Sequence, residues 1–541
     1  MHFKLESTID HLLQQLIRKV FAATLLNPSS FFLTTLILGL FIGVRLWRLT
    51  SSCLWFDEIF SVHAASYDWT RLLSFVAADI IHPPLFYALL KVWIAIGGES
   101  LPWLRLLPVL ISFAAVVPFF MLCRELGLRA ADTKFALLLM AVNGYLIKYA
   151  QEVRMYSLLL FFAVCSLWLF IRFIRSAADS KKQLLVLSAL NLLLVYTHYY
   201  GWLLIATEAA FLLLWRRDKL PGFSIAAGIL LLCFSPWVYT VTRAGEPSRG
   251  LMQNIGWVAR PRLEDVARFF TLLNEPFYFR QSTSEPLYYR WSAFAGLLIF
   301  GLPLIRLAWR TLRGKRQEEG KRTEAIKWLL LFFCVPLALA FFFSWIFPYS
   351  VWGTRHLIIV AVPYAFLAAI SLNSLRPQLV RLLVFGVMIT WFVLAGTLMV
   401  VRPERSYIWC AWEELGRRLS QQQAARADVV KIYAFEDLIA YHLWFALGRK
   451  DGERYKVGVV KGMPGLGEDP AYFLPRAFSA IEVRDQSTLN EEHFWIAFRD
   501  TSWDETSPPL KTLTERGYTV RKVLETSAGG QRAFLVELQH D

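Results

Sequence analysis

The chain has 541 residues, 56% of them hydrophobic and 15% aromatic, with a formal net charge of +15. Ordinary soluble domains are about 45–50% apolar, and here the excess sits in long uninterrupted runs, which excludes a soluble globular protein. The Lys and Arg excess lies in short loops between those runs, where it sets membrane orientation and meets anionic headgroups, so it points to a lipid bilayer and not to nucleic acid.

In chain order, residues 1–28 read as a cytoplasmic amphipathic segment, with helical apolar spacing and charges on the opposite face. They are too polar for a secretory signal. The first span is predicted from Phe31 to Trp47. A polar-to-amphipathic segment, 49–101, follows as an outer loop. It carries Trp55-Phe56-Asp57-Glu58, Tyr67-Asp68-Trp69 and His82-Pro83-Pro84-Leu85. Further spans are predicted at 102–122, 134–150, 156–174, 184–198, 199–215, 222–241, 291–309, 327–347, 356–374 and 378–400, about eleven in all. This gives a transmembrane domain over 29–401. The soluble remainder, 402–541, alternates strand and helix patterns and is predicted to be a small α/β domain. It has no Gly-rich phosphate loop after a strand, and a structural or recognition lid is the favoured reading of it.

Loops rich in Lys and Arg alternate with poor ones. The rich set holds Arg124, Arg129 and Lys134; Arg172, Arg175, Lys181 and Lys182; Arg216, Arg217 and Lys219; and Arg310, Arg313, Lys315, Arg316, Lys321 and Arg322. The positive-inside rule makes that set cytoplasmic. The N-terminus is then inside, and the Trp55–Glu58 loop and the C-terminal domain are outside, periplasmic or extracellular. The remaining polar motifs fall on the same outer set: Lys148 to Tyr156 (KYAQEVRMY), Thr197-His198-Tyr199-Tyr200, the loop 242–290, and Tyr349 to His356 (YSVWGTRH). Random polar interruptions would divide between the two faces.

An enzyme on that face has no nucleotide sugar to draw on and must use an activated donor that crosses the bilayer. Transfer then needs a base for the acceptor proton and cations for a leaving phosphate that gains charge. Adjacent carboxylates near a bilayer are costly unless paired or at work, and Asp57 and Glu58 supply the first need. His82, Lys148, Arg154 and Arg355 supply the second. Two prolines after His82 suit a helix start, where the dipole favours an anion. Each residue also has a plainer reading. Asp57 and Glu58 could be solvated interfacial acids, and His82 a solvent-facing helix-start residue. Arg154 and Arg355 could be snorkelling to headgroups. His198 with Tyr196, Tyr199 and Tyr200 could be an aromatic belt, or could bind sugar hydroxyls. Tyr156, His198, Tyr199 and Tyr349 are the candidates for sugar or acceptor binding.

The six cysteines have no metal-ligand spacing. Cys123, Cys165, Cys233 and Cys334 read as small core residues. Cys53 and Cys410 fall on the same predicted face, and whether they pair is open. No metal site is assigned, and no cofactor is certain; a divalent metal is left open.

Taken together, the acidic pair, HPPL, QEVRMYSL, THYYG and GTRHL resemble the polyprenyl-phosphate-sugar-dependent glycosyltransferases of the GT-C fold, in particular the bacterial family 39 type. Relatives of that type are the protein O-mannosyltransferases and the lipid A aminoarabinose transferases. The resemblance covers residues 30–400. It implies a multi-pass protein of the bacterial inner membrane that moves a sugar from an undecaprenyl-phosphate-like donor to a glycan, lipid or protein acceptor, with inversion. It implies Asp57 as the acceptor base with Glu58 shaping the site, His82 near the lipid phosphate, and Arg154 on the donor phosphates. His198 and Arg355 carry over less directly. The α/β domain departs from the inserts of the protein O-mannosyltransferases, which favours a glycan or lipid acceptor. The rival readings are an oligosaccharide ligase or polymerase with a diphosphate-linked donor, and, from another class, a lipid or solute transporter. Against transport, no internal repeat is visible.

Overall fold

The computed structural model describes residues 28–176, 180–244, 258–277, 294–313, 320–401, 407–424, 428–461, 474–476, 478–500, 506 and 508–540. The amphipathic segment expected before residue 28 lies outside them. Every apolar run read as a span falls on helix, the first on Pro28–Leu46 and the last on Gln378–Val401. Among the described residues, seven helices, with adjoining segments merged, are long and apolar enough to cross a membrane. Burial divides them by environment. His356–Asn373 is sheathed by other helices, whereas Gln378–Val401 turns almost its whole apolar surface outward. Outward-facing Leu, Val and Phe side chains on a span face lipid, where their exposure costs nothing. Cys233 and Cys334 share that exposure, so they are lipid-facing residues and not the core residues expected of them.

Two predicted spans are interrupted. The run 102–122 is a pair of helices, Leu101–Ala114 and Val116–Leu126. The run 134–150 is likewise a pair, Ala130–Val142 and Gly144–Gln151, parted at Asn143. The Asn143 side chain caps the second helix by accepting from the Leu146 N–H at 2.9 Å, as an Asn N-cap does. Its amide also donates to the Leu272 and Leu273 carbonyls at 3.1 and 3.0 Å. The carbonyls freed at the break, Met140 and Ala141, accept from the guanidinium of Arg45 at 3.1 and 3.3 Å. An Arg buried inside a helical bundle is tolerated because it satisfies those carbonyls. The break turns the chain toward the loop that carries Arg154.

The segment 49–101 folds into three short helices, Phe56–Ser66, Trp69–Asp79 and Leu85–Gly97, the last beginning directly after the two prolines. It packs against the C-terminal domain. Ile59 belongs to the same buried cluster as Trp412, Tyr441 and Trp444, Arg449 forms a two-pronged ion pair with Glu99, and Cys53 is disulfide-bonded to Cys410.

The C-terminal domain is a six-stranded mixed sheet in the order β3-β2-β1-β4-β6-β5. Its strands are β1 (Val430–Ala434), β2 (Tyr455–Lys461), β3 (Glu482–Asp485), β4 (His493–Asp500), β5 (Tyr518–Ala528) and β6 (Gln531–His540). The first four are parallel, and the β5–β6 hairpin adds antiparallel through β6. Alternation along each strand assigns the two faces. Ile432, Ala434, Trp495, Ala497 and Leu535 join the cluster that includes Ile59, while Tyr433, Phe435, Phe494, Ile496 and Phe534 fill the opposite face. Central strands buried on both faces are near-continuously apolar, which is why they could be read from sequence. β3 and the helix Cys410–Gln423 complete the domain. β3 is a short charged edge strand (EVRD), the composition edges use against further pairing. The helix does carry a periodic signal, with Trp412, Leu415 and Leu419 buried on one face.

Candidate active site

The site is assembled at the start of helix Phe56–Ser66. Glu58 is fully buried, and its carboxylate is surrounded by donors. Its Oε2 accepts from the Trp55 N–H at 3.0 Å, closing the helix start, and from Arg105 Nη2 at 3.2 Å. Its Oε1 accepts from the Val153 N–H at 2.9 Å. Arg105 continues the tie, donating to the carbonyls of Leu49, Ser52 and Cys53 at 2.8, 3.0 and 2.8 Å. Glu58 therefore locks three separate stretches of chain together, and a buried ion pair this well bonded is costly to break.

Asp57, one residue earlier on the helix, has different partners and keeps part of its side chain exposed. Its Oδ2 accepts from Arg355 Nη1 at 2.8 Å. Its main-chain carbonyl accepts from Arg154 Nη1 at 3.1 Å. Burial pushes the Asp57 carboxyl up, but Arg154 and Arg355 outweigh burial and hold it below its ordinary value. Arg154 is buried, and its guanidinium is engaged by protein groups. Besides Asp57 it donates to Ser61 Oγ and Tyr87 Oη, both at 3.2 Å, and through Nη2 to His82 Nδ1 at 3.3 Å.

Three imidazoles adjoin this pair of arginines. The rings of His82, His198 and His356 stand 4.4 to 6.0 Å apart between centroids. Burial holds the His82 imidazole well below its ordinary range, and Arg154 and His198 act the same way. Tyr156 lies beside them, its ring 5.9 Å from that of His356. Lys148 reaches Glu152 at 3.8 Å and lies over the Tyr149 ring. Burial raises the Glu152 carboxyl to about 7, with Lys148 opposing.

The structure thus brings Asp57, Glu58, His82, Arg154, Arg355, Tyr156 and His198 into one constellation. Tyr199 does not join it. Its hydroxyl accepts from Trp237 Nε1 at 3.0 Å, on the side of helix Leu220–Ala244. Tyr349 is half-buried in the segment before Arg355. Four contributors were missed as site residues: His356, Tyr87, Ser61 and Arg105. His356 was visible as the neighbour of Arg355. Ser61 could have been placed by helical spacing, one turn after Asp57. Nothing in the sequence marks Tyr87 or Arg105, whose roles depend on tertiary contacts alone.

No family model and no curated protein matches the sequence. Among solved structures the chain is similar to ArnT from Cupriavidus metallidurans. Against the apo form the TM-score is 0.56 at 15% identity, covering 94% of this chain and 98% of that one. Against the form bound to undecaprenyl phosphate it is 0.57 at 14% identity, with the same coverage. Correspondence over nearly the full length of both chains includes the helical domain and the C-terminal sheet domain together. The chain has an ArnT-like fold.

Proposed function

We propose that the protein is an inverting membrane glycosyltransferase that takes a sugar from a polyprenyl-phosphate donor and passes it to an acceptor hydroxyl on the outer membrane face. The undecaprenyl phosphate bound in the ArnT structure suggests the donor class. The observation that carries the reading is local. Asp57 has a partly exposed carboxylate that accepts from Arg355 and a main-chain carbonyl that accepts from the buried Arg154, so a base and a phosphate clamp adjoin.

In this reaction the acceptor oxygen attacks the anomeric carbon. The bond from that carbon to the phosphate oxygen breaks, and its electron pair goes to the phosphate. Asp57 takes the acceptor proton. The phosphodiester becomes a phosphomonoester with additional negative charge, which Arg154 and Arg355 stabilise more strongly in the transition state than in the ground state. Paired with Arg355, Asp57 is a weak base. A donor phosphate competes for the Arg355 guanidinium, and drawing it away restores basicity to Asp57. Donor binding thereby switches on the base. Glu58, with three donors and no exposed surface, acts as a positioning residue, not a proton acceptor. The disulfide between Cys53 and Cys410 agrees with an outer, oxidising face.

The test is transfer in proteoliposomes from polyprenyl-monophosphate sugars to outer-face glycan or lipid acceptors, with the anomeric configuration of the product determined. Inverted product from a monophosphate donor supports the proposal. Transfer from diphosphate-linked donors alone, or retention of configuration, overturns it.

A further inference from the structure

His82, His198 and His356 each place a ligand-capable nitrogen within 4.8 Å of the others, which has the outline of a three-histidine metal centre. The hydrogen-bond partners point elsewhere. A guanidinium can only donate, so Arg154 Nη2, 3.3 Å away, makes His82 Nδ1 an acceptor. A backbone N–H can only donate, so the Tyr200 N–H at 3.1 Å makes His198 Nδ1 an acceptor. Each of these neutral rings then carries its single hydrogen on Nε2. A metal ligand needs the lone pair there instead.

The Nε2 atoms of His82, His198 and His356, and the Tyr156 hydroxyl, are all buried and have no hydrogen-bond partner among the described residues. His82 and His198 are only 3% and 2% exposed. Buried donors without an acceptor are costly, and the His82 and His198 N–H groups with the Tyr156 hydroxyl on one spot call for an oxygen-rich ligand. His356 is held in place by close packing, since a Cβ on Gly353 would stand 2.3 Å from its Nδ1. The charge of the surroundings agrees. Arg154 and Arg355 flank the cluster, against the carboxylate of Asp79, whose Oδ2 lies 3.8 Å from His82 Nδ1, and the two guanidinium groups repel a dication while attracting an anion.

We infer that His82, His198 and His356 form a metal-free trap of neutral N–H donors for the oxygens of a phosphate group, with the Tyr156 hydroxyl as a further donor. This rests on the proposed function for the identity of its occupant, the phosphate of the donor lipid and of the product it becomes. It assigns His198 and His356 to the phosphate, not to the sugar. It also gives the leaving group neutral donors beside two fixed cations.

The test measures binding of undecaprenyl phosphate and, separately, inorganic phosphate to the full chain in detergent, with and without a chelator, alongside Zn²⁺ titration. His198→Leu and His356→Leu are expected to weaken undecaprenyl phosphate binding by about 10-fold or more, the loss of one hydrogen bond to a charged group. His198→Gln and His356→Gln keep a donor near Nε2 and are expected to retain most of the affinity. The chelator should change nothing. If one Leu variant fails to fold, the Leu/Gln pair at the other position reads the same quantity. Equal affinity in the Leu variants, or one equivalent of tightly bound Zn²⁺ lost in each of them, overturns the inference. Inorganic phosphate with the same histidine dependence would show a phosphate site that does not need the lipid; binding of the lipid alone would show that the tail contributes. Histidine-dependent phosphate binding without sugar transfer would leave the trap standing and remove the glycosyltransferase reading. Transfer with histidine-independent phosphate binding would do the reverse.

Discussion

Arg355 and Asp57 lie 298 residues apart in the chain, yet the guanidinium of one donates to the carboxylate of the other at 2.8 Å. The pair joins the outer segment after the first span to the segment that leads into helix Ala361–Asn373. In the proposed mechanism it is a latch that the donor phosphate opens.

Arg355→Ala removes the latch and half of the clamp. Donor KM is expected to rise by about 10-fold or more, as for loss of a charged hydrogen bond. kcat is expected to fall as well, because the same charge stabilises the leaving phosphate. Arg355→Lys keeps the charge but not the two-pronged geometry, so it should recover part of the KM and little of kcat. Steady-state kinetics with varied donor separate the two parameters. Unchanged donor KM in Arg355→Ala would mean that Arg355 serves only to hold Asp57.

Glu58→Gln tests the positioning role. Glu58 accepts from Trp55, Arg105 and Val153, and an amide has one acceptor oxygen, so at least one buried donor loses its partner. The cost is expected to be about 1–3 kcal/mol, seen as a lower Tm in detergent. Turnover should fall less than in an Asp57 variant. Wild-type Tm with abolished turnover would instead put Glu58 in the chemistry.

These roles were only partly legible in the sequence. The helical domain was readable because lipid demands long apolar runs, and the central strands because burial on both faces leaves near-continuous Val, Ile and Phe. The breaks at Ala115 and Asn143 were hidden. Each lies inside an apolar run, and the groups that make the second one tolerable, such as Arg45, come from elsewhere in the chain. Asp57, His82 and Arg154 stood out as polar residues where polarity is costly. The difference between Asp57 and Glu58 did not, because neighbouring carboxylates on a helix project about 100° apart and only their partners tell them apart. Tyr199 had the same aromatic-motif signal as His198, but faces Trp237.

Glu152 makes stability depend on pH. Its carboxyl is raised from 4.5 to about 7 by burial, against the pull of Lys148. Between those values the folded chain holds a proton that the unfolded chain has released, so stability falls as pH rises through that window. Tm in detergent is expected to decline from about pH 5 to pH 7, and Glu152→Gln to flatten that decline. A decline of the same slope in the variant would assign it to another group.

The Cys53–Cys410 disulfide ties the segment that precedes Asp57 to the C-terminal domain. With the sheet domain on the outer face, a periplasm-specific reporter fused after Leu538 is expected to be active. Non-reducing electrophoresis of a chain cleaved between the two cysteines should keep the fragments together until a thiol is added. Activity of a cytoplasm-only reporter at that position would reverse the topology.

The central claim is that Asp57 accepts the acceptor's proton while the arginines hold the donor. Its most direct test is Asp57→Asn, with sugar transfer and donor-lipid binding measured separately on the same preparation. The amide keeps the shape of the side chain but cannot take the proton. Transfer is predicted to fall by about 10²–10⁴-fold, the usual contribution of general-base catalysis, with donor affinity largely retained. Near-normal turnover in Asp57→Asn, or lost binding with turnover restored at high donor, would contradict the account.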